Sequence, residues 1–221
     1  MFGSISRERI HVRIAAIMNS IQPEAVHKIK IKRITIHPGE YYVSNKSVVI
    51  STLLGSCVAA CLYDPVNRVV GMNHFLLSTK RNIENIPVCV TEAGRYGVHA
   101  MELVINGMLK LGAKRDNISA KAFGGGSFYK SHHGSGGFFH VGEINSRFIF
   151  EFLKNDGIPL VAYDLGGDTG RMIRFLSDDF SVFVRRFKKS STPAILKKEK
   201  EVWLRSMKQD HQKKTEPELW T

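Results

Sequence analysis

A chain of 221 residues with 43% hydrophobic and 24% charged side chains has enough apolar material for a substantial core, which excludes a disordered or fibrous protein and fits one domain with appendages. No run of about 18 apolar residues occurs, and "IAAIM" at 14–18 is too short for a secretory h-region, so a cytoplasmic location is expected. The net charge of +12 belongs to the ends, with +5 in residues 1–33, +1 in 34–184 and +6 in 185–221; basic tails on a near-neutral centre, with no helix-turn-helix, zinc-finger or RNA-recognition pattern, argue against a specific nucleic-acid binder.

The charge map divides the chain into a basic N-terminal extension (1–33), a central domain (34–187) and a basic C-terminal tail (188–221). In the extension, Ile10, Ile14, Ile17, Met18 and Ile21 recur at helical spacing and Pro23 closes the stretch, which predicts an amphipathic helix over 8–21. From 40 to 77 the pattern turns to strands: "YYV", "SVVIS", "CVAACLY" and "VVGMNHFLL", with "DPVNR" as the turn before the last. In that last run Met72, His74 and Leu76 fall on one face, so an imidazole stands in an apolar row.

Residues 91–111 predict a helix with Thr91 as N-cap, Val98, Met101, Ile105 and Met108 on one face, and Gly112 as the stop. "AKAF" is a strand that runs into "GGGSFYKSHHGSGG", and a second helix over 143–155 carries Ile144, Phe148 and Phe152 inward. Strands "PLVAY", "RMIRF" and "SVFVRRF" follow. Many strands with two main helices predict an α+β domain of mixed β-sheets packed together with flanking helices, not a regular βαβ alternation. In the tail, Thr192 and Pro193 fit a helix start, and Ile195, Leu196, Val202, Trp203 and Met207 form an apolar stripe opposite lysines. Such a helix suits an anionic membrane surface or packing on its own domain.

Three cysteines cannot all pair within one chain, so free thiols are expected. Cys57 follows "LLGS", and a nucleophilic thiol needs such a turn, backbone donors for an oxyanion and a nearby base. Gly55 permits close approach to a substrate carbonyl, and peptide N–H groups around Ser56 and Cys57 are candidate oxyanion donors. His74 lies 17 residues beyond Cys57, where a hairpin brings imidazole to thiol. A small buried core residue is the competing reading of Cys57, and a satisfied core histidine that of His74. Cys61 shares a strand face with Cys57 at core spacing, and Cys89 reads as structural. His132, His133 and His140 lack a spaced set of further ligands, so no metal site is expected. "FGGG" and "DLGGDTGR" match neither phosphate-loop pattern, which leaves no cofactor expected and makes the second a turn between strands.

"TLLGSCVAACLYD", "GMNHFLL", "RYGVHAMELVINGMLKLGA", "AKAFGGG" and "DLGGDTGR", in that order over about 36–186, resemble the chemoreceptor glutamine deamidases of the CheD family. The resemblance implies a cysteine nucleophile at Cys57 and a catalytic histidine at His74. The family's third catalytic residue, a threonine six positions before the cysteine, falls on Ser51, with Thr52 as the adjacent hydroxyl. It implies that Gly166 and Gly167 shape the substrate groove, and that Gly142, Glu143 and Asn145 retain fragments of an "IGERN"-like segment. The implied fold is similar to the catalytic domain of cytotoxic necrotizing factors. The implied activity is hydrolysis of glutamine side chains to glutamate on methyl-accepting receptors through a thioester, without a cofactor. Implied partners are receptor cytoplasmic domains and a CheC-type phosphatase, with the basic tails as a link to the anionic membrane of receptor arrays. A catalytically weak interaction module and a cysteine peptidase are the alternatives.

Overall fold

The computed structural model describes residues 31–77, 86–127 and 141–187, together with Ala194, Lys197, Glu199 and Glu201. The chain divides into Met1–Ile31 and Lys32–Thr221. The expected helix at 8–21, the loop histidines 132, 133 and 140, and the tail stripe at 195, 196, 202, 203 and 207 lie outside the described residues.

Among the described residues, nine strands and two long helices build the second unit. A four-stranded sheet joins β1 (Lys32–Thr35), β3 (Val48–Leu54), β8 (Arg171–Leu176) and β9 (Val182–Arg186) in the order β1-β3-β8-β9. Lys32 and Arg33, assigned above to the extension, are thus already in a strand that runs parallel to β3. A five-stranded sheet has the order β2-β5-β4-β6-β7, from β2 (Tyr41–Ser44), β4 (Val58–Asp64), β5 (Val69–Asn73), β6 (Ser119–Gly124) and β7 (Leu160–Leu165). Both sheets are mixed: β1 is parallel to β3 and β6 to β7, and the other neighbours are antiparallel. The expected α+β class is the one observed.

The five-stranded sheet is the middle layer. One of its faces packs on α1 (Glu92–Lys110) and α2 (Val141–Asn155), through Val58, Ala60 and Leu62 against Met101, Ile105, Met108, Phe148 and Phe152. The other face meets the four-stranded sheet, through Cys57, Ala59, Cys61, Val70 and Met72 against Ile50, Leu54, Ile173 and Phe175. Burial on both sides explains the unbroken apolar run of β4, because neither face of a middle-layer strand meets water. By contrast, β3 alternates between buried and half-buried positions, as a strand with one covered face does.

Local signals account for the helix ends. The Thr91 hydroxyl accepts from Gly94 N–H at 3.0 Å, the expected N-cap. Gly112, at φ +97°, ends α1 with its N–H donating to the Leu109 carbonyl. Close approach explains the glycines inside α1, since a β-carbon at Gly97 falls 2.5 Å from the Phe148 ring. Asp64 holds the turn between β4 and β5 by accepting from Val66 N–H and Asn67 N–H, each at 2.9 Å. Among the described residues no helix is long and apolar enough to cross a membrane.

Candidate active site

The short link Gly55-Ser56-Cys57 carries the chain from β3 in one sheet to β4 in the other. Its carbonyls are all tied back. Gly55 C=O accepts from Gly126 N–H at 2.9 Å, Cys57 C=O from Gly125 N–H at 2.8 Å, and Ser56 C=O from Asn145 Nδ2 at 2.9 Å. With the carbonyls held outward, the N–H groups of Gly55 and Ser56 face the same carboxylate. Glu199 Oε1 accepts from Gly55 N–H at 2.6 Å, and its Oε2 accepts from Ser56 N–H at 2.9 Å and Ser56 Oγ at 3.0 Å. Two adjacent peptide donors facing an anionic group beside a thiol are the kind of donors an oxyanion hole uses.

The "FGGG" motif builds this link. Gly124, at φ +116°, sits where a β-carbon would lie 2.1 Å from the Cys57 carbonyl oxygen, and one at Gly125 would lie 2.0 Å from Ser146 Oγ of α2. Only glycine lets β6 end against the cysteine turn on one side and the start of α2 on the other. Asn145 then bridges the site, because its Oδ1 accepts from Leu77 N–H at 2.7 Å while its amide holds Ser56. It is fully buried, and the isolated "N" of a partial motif was its only trace in the sequence.

His74 follows β5 directly. Its backbone is fixed by Glu40 and Gly39, its N–H donating to Glu40 C=O at 3.0 Å and its C=O accepting from Gly39 N–H at 2.8 Å. The imidazole is 1% exposed, on the face between the two sheets. Its Nδ1 lies 2.8 Å from Thr52 Oγ1, and that hydroxyl donates its single proton to Ile36 C=O at 2.7 Å. The hydroxyl therefore accepts from His74, which places the proton on Nδ1 and leaves Nε2 with a free lone pair. Nε2 is buried without a hydrogen-bond partner among the described residues. An imidazole nitrogen, Cys57 Sγ and a Glu199 oxygen lie within 4.8 Å of one another, and with Nδ1 engaged by Thr52, Nε2 is the nitrogen left for the thiol.

The hydroxyl at the imidazole is thus that of Thr52, not that of Ser51. The strand period decides this: Ile50, Thr52 and Leu54 point into the space between the sheets, and Ser51 points away from it, in register with Thr35 and Arg174. The alternation Val48, Ile50, Thr52, Leu54 was the available signal. If the site works as the resemblance implies, Thr52→Ala is expected to slow turnover at least about tenfold while Ser51→Ala stays near the unmodified rate, a ranking that steady-state kinetics checks; loss of one buried hydrogen bond to His74 sets the scale. The opposite ranking would return the role to Ser51.

Burial, with a smaller push from His37, lowers the His74 pKa to about 3. Burial first, then the negative charge of Glu199 and its hydrogen bond with the thiol, raise Cys57 well above its ordinary value. The resting pair is therefore a neutral thiol beside a neutral imidazole. Cys61, on the same strand face, is fully buried in the inter-sheet core and its thiol is raised by burial. Cys89 is half-buried and likewise raised, by burial and then by Glu151.

Gly166 and Gly167 do not join this cluster by a direct bond. Both adopt φ +78° in the turn from β7 to β8. Gly166 N–H donates to Gly124 C=O at 2.9 Å and Gly167 C=O accepts from Ser127 N–H at 2.8 Å, one step from the cysteine turn. The buried Arg171 pins the turn by donating to the Asp164 and Gly166 carbonyls and to the Asp164 carboxylate. As for metals, Cys57, His74 and Glu199 are the only grouping of three candidate ligands among the described residues, but both Glu199 oxygens already accept peptide N–H donors. The donor set fits an acyl-transfer site better than a metal centre.

Comparison with known proteins places these residues in a family context. Residues 81–186 match the family model described as CheD chemotactic sensory transduction, a span that begins beyond Cys57 and His74. A Geobacter sulfurreducens protein named probable chemoreceptor glutamine deamidase CheD 1 is 49% identical over 187 residues, 85% of this chain and 93% of that one. Similarly named proteins of Agrobacterium fabrum and Shewanella oneidensis are 51% identical over 145 residues and 45% identical over 157, covering 65% and 68% of this chain and 74% of each of theirs. Among solved structures, the Neisseria meningitidis protein NMB0706 aligns with a TM-score of 0.37 at 12% identity, over 74% of this chain and 71% of that one. The expected likeness to cytotoxic necrotizing factors rests on the sequence resemblance alone.

Proposed function

The chain belongs to the CheD family of chemoreceptor glutamine deamidases, and from that premise we propose that it hydrolyses glutamine side chains of chemoreceptors to glutamate with Cys57 as nucleophile and His74 as its base. The observation that carries this reading is a carboxylate, the functional group of the product, seated on the Gly55 and Ser56 N–H groups beside the thiol.

In the proposed reaction the substrate carboxamide enters where the Glu199 carboxylate now sits. Its oxygen turns to the Gly55 and Ser56 N–H groups, and its carbon meets Cys57 Sγ. Because both partners are neutral at rest, the thiol proton passes to His74 Nε2 as the sulfur attacks. The imidazolium so formed is stabilised at Nδ1–H by Thr52, whose hydroxyl is locked in the accepting orientation by Ile36. The proton then goes to the departing ammonia, leaving a thioester. Water deprotonated by His74 attacks the thioester, and glutamate and free thiol result. The two N–H donors stabilise the oxyanion of both steps, a contribution on the order of 10²–10³ in rate for each such donor.

The inactive-module alternative was motivated by serine in place of the family's threonine, and the Thr52 hydroxyl at the imidazole supports the active reading over it. Binding of a CheC-type phosphatase and association with receptor arrays complete the proposal on the strength of family membership. The test is mass spectrometry of receptor cytoplasmic fragments incubated with the protein. Glutamine-to-glutamate conversion is expected at discrete positions, and none with Cys57→Ala. Cleaved peptide bonds in place of converted side chains would replace the reading with the peptidase one.

A further inference from the structure

Glu199 is 3% exposed, although its described helical neighbours Ala194, Lys197 and Glu201 are all exposed. Of these four residues it is the one that the domain takes up. A buried carboxylate is costly without compensation. Here the compensation comes from two peptide N–H groups and a hydroxyl, and no lysine or arginine among the described residues donates to its oxygens. These are the donors assigned above to the oxyanion, 143 positions away in the chain at Ser56.

We propose that Glu199 is an internal ligand of the active site that holds the place of the glutamate that deamidation creates, so that a receptor segment must displace it before its glutamine can enter. The proposal rests on the deamidase reading. Two physical effects make the bound state inactive. The carboxylate fills the seat of the substrate carboxamide, and its negative charge opposes ionisation of the adjacent thiol. An occupant of this kind lowers the apparent affinity for substrate by the fraction of molecules in which the site is open.

One substitution separates a product mimic from a merely structural carboxylate. In Glu199→Gln the occupant becomes a carboxamide at the nucleophile. Cys57 Sγ bonds to the carboxamide carbon of the substituted side chain, the C–N bond breaks, ammonia leaves with the proton from His74, and water cleaves the thioester to restore glutamate and thiol. The full-length variant is therefore expected to carry glutamate at position 199 when its peptides are weighed, whereas the double variant Glu199→Gln, Cys57→Ala retains glutamine. Alkylation of Cys57 by iodoacetamide is expected to be at least about tenfold faster in full-length Glu199→Ala than in the unmodified protein, with Cys89 as the internal standard. Glutamine persisting at position 199 together with equal alkylation rates, in preparations that still deamidate receptor fragments, would overturn the internal ligand and leave the deamidase reading intact. Faster alkylation of Glu199→Ala, with no variant converting either receptor glutamines or the glutamine introduced at position 199, would overturn the deamidase reading instead, and the product-mimic role with it.

Discussion

His74→Ala is expected to lower kcat for glutamine deamidation by roughly 10²–10⁴-fold, the range for loss of a general acid-base group, with the fold retained by circular dichroism. The effect is large because the resting pair is not pre-ionised. Burial is the largest cause of the raised Cys57 pKa and acts whether or not Glu199 occupies the site, so attack requires an acceptor at the moment of reaction, and Nε2 is the only buried imidazole nitrogen free for it among the described residues. In the proposed mechanism the same nitrogen serves the hydrolytic step. The pKa of about 3 carries a second expectation: a group that low stays neutral throughout the neutral range, so the acidic limb of kcat/KM falls well below the pH of about 6.5 at which free imidazole titrates. A limb centred near 6.5 would mean that His74 is solvated in the free enzyme and that the neutral pair is wrong.

Gly124→Ala is expected to abolish most activity although the residue bears no functional group. At φ +116° an alanine is strained by about 1–3 kcal/mol, and its β-carbon would fall 2.1 Å from the Cys57 carbonyl oxygen. Backbone must move, and the backbone nearest to hand is the cysteine turn. A displacement near 1 Å at a reacting group costs about 10²-fold in rate. Gly157→Ala is the matched control: it also has positive φ, +69°, but nothing within 4 Å of the added carbon. It is expected to lower the unfolding midpoint in urea while leaving kcat unchanged. Equal kinetic losses in the two variants would show that Gly124 contributes stability alone and that its contact with the turn is not catalytic.

Local pattern sufficed for most of the described elements, with β1, which begins inside the stretch assigned to the extension, as the one strand missed. Apolar and period-two runs marked the other strands, and Thr91 and Gly112 bracketed α1, whereas the covering of both faces of β4 emerged only with the two sheets in place. The second helix begins at Val141, two residues before the expected start, because the glycine-rich approach hid its first turn. The motif around Cys57 and the histidine one hairpin later were likewise local, since adjacent antiparallel strands bring residues of moderate separation together.

Three features of the site were decided only by tertiary structure. Counting back from Cys57 selected Ser51, but the hydroxyl had to come from whichever face of β3 looks across to His74 in the other sheet, and a shift of one residue reverses the face. The outward pull on the carbonyls of residues 55–57 comes from Gly125, Gly126 and Asn145, on a strand end and a helix remote in sequence. Glu199 carried no signal at all within "KKEKE", where every neighbour is a charged residue of ordinary surface composition. Sequence period and motif are sums of short-range preferences and so marked most of the strands, the two long helices and the proposed pair of Cys57 and His74. The hydroxyl at His74, the N–H groups of Gly55 and Ser56 and the carboxylate of Glu199 on them depend on which surfaces meet when two sheets, a helix and Glu199 come together, and that is a property of packing over long chain separations.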